Sequence, residues 1–168
     1  MERLRDFLIN LEVKQWRISV IMPIGRSEQP APFLLNNTQL TTLFSFAEQH
    51  QKSLTILIAE NLPFLGSFEE RIRREPFLCP VGITACCIGV DGNVRGCAEQ
   101  PDRPEFFEGN VKNRSIIDIW QDGFKKYRLN ETILKDKRCS QCRDRYHCYG
   151  GCHVMRLGNI QCIYDLMK

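Results

Sequence analysis

The chain has 168 residues, 43% hydrophobic and 26% charged, with a net charge of +3. These are globular values for about one ordinary domain or two small modules, and a core of that size needs no staples merely to compensate for smallness. Nine cysteines therefore call for a chemical reason. The opening Met-Glu-Arg-Leu-Arg-Asp lacks the continuous apolar core of a secretory signal, and no run approaches the roughly 20 apolar residues of a membrane span. The expected location is the cytoplasm, where stable disulfides are disfavoured and clustered thiolates act as metal ligands.

Leu4, Phe7, Leu8 and Leu11 recur at helical spacing, predicting an opening helix with one apolar face. The period then changes to a short β-branched run over 17–22, a strand ended by Pro23 and Gly25. After the loop RSEQPAP, an Asn36-Asn37-Thr38 cap introduces a second helix carrying Leu40, Leu43, Phe44 and Ala47. A second strand spans 54–59. Because it is apolar on both faces, it belongs in a parallel sheet covered by helices, and residues 1–60 read as α-β-α-β. Two such strands make an incomplete sheet, which either docks on another or ends a larger barrel. Ser67-Phe-Glu-Glu70 reads as a capping box for a helix to about Arg74, and Pro76 separates this half from a cysteine-rich one. The expected domains are 1–75 and 76–168.

In CPVGITACCIGVDGNVRGC, Asp91-Gly92 signals a hairpin between 83–89 and 94–96. Ser115 caps a helix whose Ile116, Ile119, Trp120 and Phe124 form a core stripe. Cys139-x2-Cys142-x5-Cys148-x3-Cys152 is the strongest signal in the chain. A CxxC turn brings two sulfurs to one centre, and soft thiolates select zinc or iron-sulfur clusters over hard cations. Spacing alone leaves zinc open, since two zinc sites can be built from nine cysteines with His147 and His153.

The order Cys79-x12-Gly92-x4-Cys97, then Cys139 to Cys152, then Cys162, together with DGNVRGC, EGNVKNRSIIDIW and CYGGC, resembles the seven-cysteine SPASM domain of radical SAM peptide- and protein-modifying enzymes. The upstream WRISVIMPIGR and LTILIAEN resemble, more loosely, the last strands and helices of the partial (β/α) barrel that precedes it. The resemblance implies an α/β fold: a barrel remnant of two parallel strands with helices, followed by a small Cys-rich domain with a β-hairpin and short helices. It also implies two auxiliary 4Fe-4S clusters. Cys79, Cys97 and Cys152 would serve the first, and Cys139, Cys142, Cys148 and Cys162 the second. Neighbouring strand residues face opposite sides, so one of Cys86 and Cys87 would complete the first set, with Cys86 favoured.

The sequence departs from those enzymes in containing no CxxxCxxC, the motif that holds the catalytic cluster and S-adenosylmethionine. The chain is accordingly expected not to cleave S-adenosylmethionine unless the other half is supplied, for instance by a separate chain carrying that motif, and to contribute no catalytic residue of its own. The implied partner is a peptide or protein substrate. Arg26, Glu60 and Asn61 follow the two strands, where α/β barrels place their active-site rim, and are candidates for cofactor contact. His147 and His153 are candidates to tune cluster sulfurs, Gly150 and Gly151 to allow close backbone approach, and His50 to favour a helix dipole.

Two rivals stand beside this reading. One is a zinc-binding module that contacts nucleic acid or protein through the basic segment 123–146, rich in Lys125, Lys126, Arg128, Lys135, Lys137, Arg138, Arg143 and Arg145. The other is a stand-alone electron carrier. A solvated basic face is the simpler account of the segment, so nucleic acid is the less favoured partner.

Overall fold

The structure, a computed structural model, describes residues 1–22, 35–59, 61–62, 64–128, 135–157 and 162. It is a mixed α/β chain of two compact units, Met1–Phe77 with Met155–Lys168, and Leu78–Val154.

In the first unit, α1 (Glu2–Asn10) forms where the apolar spacing predicts, yet none of its residues is buried, and Leu4, Phe7 and Leu11 face solvent. Strand β1 (Gln15–Ile18) pairs in parallel with β2 (Thr55–Ile58), in the register Trp16↔Ile56 and Ile18↔Ile58. β1 starts two residues earlier than the β-branched run suggests. The alternation that matters is Trp16 and Ile18 against exposed Gln15 and Arg17, and Trp16 meets Phe46 edge-on at 5.9 Å. In β2, Ile56 and Ile58 are buried while Thr55 and Leu57 are half-buried, so the expected burial of both faces is met on one only.

Helix α2 (Asn37–His50) begins with a complete capping box: Asn36 accepts from the Gln39 amide, and Gln39 accepts from the Asn36 amide, both at 2.9 Å. It lays Leu40, Leu43, Phe44, Phe46 and Ala47 into the core with Leu54, Leu62 and Leu65. His50 does more than end the helix. Its ring packs on Phe46 at 4.7 Å, and its Nε2 lies 3.1 Å from Glu2 Oε1.

The expected capping box at Ser67 is not formed. A 3-10 turn at Gly66–Phe68 leads into α3 (Glu69–Ile72), which has no side-chain cap. Phe68 buries against Phe44 at 5.5 Å, and this turns Glu69 inward. There Glu69 accepts from the amides of Leu65 (2.7 Å) and Phe77 (2.8 Å) and pairs with Arg73 at 3.0 Å. Burial pulls the Arg73 guanidinium below its ordinary value, and Glu69 opposes that.

The second unit is built on a three-stranded antiparallel sheet, β3 (Cys87–Ile88), β4 (Asn93–Arg95) and β5 (Phe107–Asn110), in the order β3-β4-β5. The Asp91-Gly92 turn forms as expected, with Gly92 at φ +89° and its amide donating to Gly89 O at 2.9 Å. The first strand is shorter than 83–89, because Ile83, Thr84 and Ala85 all donate to Pro80 O in a turn. β5 has no apolar alternation to announce it. Its Gly109 admits α4 (Ile116–Asp122), since a Cβ there would stand 2.9 Å from Ile119. Ser115 caps α4 through the Asp118 amide, and Ile119 and Phe124 are fully buried with Val94. α5 (Lys125–Arg128), α6 (Lys137–Ser140), α7 (Arg145–Cys148) and α8 (His153–Leu157) are short.

Candidate metal centre

All nine cysteines are reduced thiols, Cys79 buried and the others partly so. Cys79 precedes the Pro80 turn. Cys97 follows β4, where its amide donates to Gln100 Oε1 at 3.1 Å. Gln100 is buried, and its Nε2 donates to the Tyr127 hydroxyl at 2.6 Å. The same Tyr127 ring stands edge-on to His153 at 4.9 Å and would lie 3.2 Å from a Cβ placed on Gly96. Gly96 and His153 are the chain neighbours of Cys97 and Cys152. One aromatic side chain therefore fastens the hairpin to the CYGGC segment.

Burial pushes the Cys97 thiol up, the Glu99 amide pulls it down, and nearby Cys79, the Glu99 carboxylate and Cys87 push it up again. The Cys86 thiol is raised too, by burial first and then by Cys87. Repulsion between gathered thiolates is relieved when a cationic metal core binds them.

The second cysteine group is shaped by backbone. Asp136 caps α6, accepting from the amides of Arg138 (2.8 Å) and Cys139 (3.3 Å), and the Cys142 amide donates to Cys139 O at 3.1 Å to close the CxxC turn. After α7 the chain turns through Tyr149, Gly150 and Gly151, all at positive φ (47°, 78° and 70°). Glycine takes that conformation without strain and tyrosine does not, so the glycines serve the turn between Cys148 and Cys152. His147 is exposed on α7. Cys162 lies in the first unit.

Many cations of the basic segment are engaged within the chain. Lys126 pairs with Glu108 at 2.8 Å. Arg128 donates to Gly82 O at 2.6 Å and lies over Trp120, and Arg145 donates to Ser140 O.

Of the three rim candidates, Arg26 and Glu60 lie outside the described residues. Asn61 is partly buried, its Nδ2 donating to Val20 O, so it ties together the segments that follow β1 and β2. Its Oδ1 is buried without a hydrogen bond. Three residues that shape the centre, Arg95, Gln100 and Tyr127, were missed from sequence. Tyr127 alone had a signal, standing three residues beyond Phe124, the last residue of the apolar stripe read from sequence.

Among the described residues no three His, Cys, Asp or Glu side chains stand close enough to cage a single metal ion. Four thiolates around one zinc stand only about 3.8 Å apart, each about 2.3 Å from the metal. A cubane core is larger and spreads its thiolates over a wider shell. The donors present fit such a core in chemistry, being uniformly soft sulfur. A buried donor fits it as well, for Arg95 Nε makes no hydrogen bond.

Residues 79–149 match the family model of SPASM, an iron-sulfur cluster-binding domain. The chain carries a SPASM domain. Searches of curated proteins and of solved structures returned no match. The SPASM stretch begins at Cys79 and takes in the hairpin, β5, α4 and the CxxC turn, and a SPASM domain binds iron-sulfur clusters. No helix among the described residues is long and apolar enough to cross a membrane.

Proposed function

We propose that the chain is a cluster-bearing C-terminal part of a radical SAM peptide- or protein-modifying enzyme, acting in the cytoplasm with two auxiliary 4Fe-4S clusters. The observation that carries this reading is the SPASM match over residues 79–149, on a hairpin that Tyr127 fastens to the residue after Cys152. In the proposed partition Cys79, Cys97, Cys152 and one hairpin cysteine hold the first cluster. Cys139, Cys142 and Cys148 hold the second, with Cys162 completing it by its place in the sequence. When bound, such clusters relay single electrons at potentials set by their surroundings.

The residues around them have separable tasks. Gln100 fixes the Cys97 amide, Tyr127 holds the hairpin to the CYGGC turn, and Asp136 orders the CxxC turn. The 168 residues contain no CxxxCxxC, so radical generation is assigned to a segment or separate chain that carries it, and the role of these residues is electron transfer and docking of a peptide or protein substrate. β1, β2 and α2 would then be a barrel remnant, and Asn61, with its buried unpartnered Oδ1, would stand with Arg26 and Glu60 at the rim for cofactor.

The test is purification without oxygen and assay of iron, acid-labile sulfide and zinc. The expected result is a brown protein with equal iron and sulfide at two 4Fe-4S equivalents per chain. A colourless protein with bound zinc and no sulfide would overturn the reading.

A further inference from the structure

We propose that Cys87, not Cys86, supplies the fourth thiolate of the first cluster, from a hairpin face that it shares with Cys97 and Arg95. This rests on the iron-sulfur reading above and settles a choice that spacing leaves open.

The argument is one of register. Cys87 pairs with Arg95, and Ile88 with Val94. Residues directly opposite in an antiparallel pair put their side chains on the same face, and successive residues alternate. Val94 is fully buried, and a Cβ on Gly96 would run into Val81 at 2.4 Å and Tyr127 at 3.2 Å, so positions 94 and 96 both point into the core. Arg95 and Cys97 therefore point the other way. Cys87, the cross-strand partner of Arg95, points with them, while Cys86 precedes β3 and takes no part in its register.

Arg95 adds an independent observation. Its Nη1 donates to Gln100 O at 3.0 Å, but its Nε is buried without a partner. Buried donors are rarely left so. A sulfur on the Cys87–Cys97 face would accept that N–H, as outer-shell donors do at cluster sulfurs.

The experiment reconstitutes the full chain anaerobically as wild type, Cys86→Ala, Cys87→Ala and Cys87→Ser, and reads iron, sulfide and the EPR spectrum of the reduced protein with and without added small thiol. Cys86→Ala should match wild type. Cys87→Ala should lose about half the iron and sulfide, or keep them with an EPR signal that added thiol shifts, because the first set then holds three protein thiolates. Cys87→Ser, nearly isosteric, keeps the hairpin intact and should still change the EPR signal. A Cys87→Ala and Cys87→Ser pair indistinguishable from wild type, or the loss appearing in Cys86→Ala, would overturn the assignment while leaving the iron-sulfur reading intact. A wild type that takes up no iron and sulfide would overturn both.

Discussion

Replacing Gln100 by leucine tests whether the hairpin and the CYGGC segment are coupled as described. The side chain is 4% exposed and makes two hydrogen bonds, one from the Cys97 amide at 3.1 Å and one to the Tyr127 hydroxyl at 2.6 Å. Leucine fills similar volume and replaces neither. Each buried group left unsatisfied costs about 1–3 kcal/mol. The Cys97 end is only partly buried and can turn toward water, whereas Tyr127 is 7% exposed and cannot. A loss of about 2–4 kcal/mol is expected, and because 1 kcal/mol moves the midpoint of a small cooperative unit by about 4–8 °C, the melting temperature should fall on the order of 10 °C or more. Calorimetry on the reduced, metal-free chain measures it. Tyr127→Phe removes the other partner, so Gln100→Leu/Tyr127→Phe should cost less than the sum of the single changes. On anaerobic reconstitution Gln100→Leu should lose iron from the first set. A midpoint within about 2 °C of wild type, strict additivity and full iron loading would together refute the coupling.

Three further outcomes are expected. Glu69→Ala leaves Arg73 and the amides of Leu65 and Phe77 without their shared acceptor and should cost about 3–5 kcal/mol in urea unfolding; a cost below about 1 kcal/mol would mean that the pair is in effect solvated. Asp136→Ala removes the α6 cap and should cost about 1 kcal/mol, with iron lost faster to a chelator than from wild type; an unchanged release rate would show that the cap does not order the CxxC turn. Cys142→Ala should lose one cluster, about half of the iron and sulfide, and leave the other loaded; loss of both or of neither would defeat the two-set partition.

The residues that announce themselves in sequence are those whose role is local. The Asn36 cap and the Asp91-Gly92 turn depend on neighbours a few positions away and appear where expected; of the expected stripe Ile119 and Phe124 are buried, while Ile116 is exposed, Trp120 is half-buried and Phe124 lies beyond the end of α4. The failures share a different cause. Ser67 has the spacing of a capping box, but Phe68 must reach Phe44, and that distant contact turns Glu69 into the core. β5 carries Glu108 and Asn110, which look like surface residues, yet Glu108 accepts from the Phe124 amide at 2.8 Å and Asn110 donates to Asn93 at 2.9 Å. The choice between Cys86 and Cys87 was posed by alternation, but alternation has no sign until a register fixes which face is buried. The proposal for Cys87 takes that sign from Val94 and Gly96.

The family match ends at residue 149, and the physical unit does not. Cys152 stands beyond the matched stretch, yet the compact unit runs to Val154, which is 1% exposed, and His153 sits against the Tyr127 ring. That contact supports the proposed assignment of Cys152 to the hairpin set beyond its spacing alone. The left-handed turn at Tyr149–Gly151 reverses the chain directly after Cys148. Cys148 and Cys152 are thus separated by a reversal rather than a helical turn, which is the backbone condition for two cysteines four residues apart to serve different clusters. Were the segment continuous helix, residues at that spacing would lie on one face and favour a common centre. The proposed interleaving of two cysteine sets would therefore depend on Gly150 and Gly151 keeping the turn left-handed, and on Tyr127 holding its far side against the hairpin.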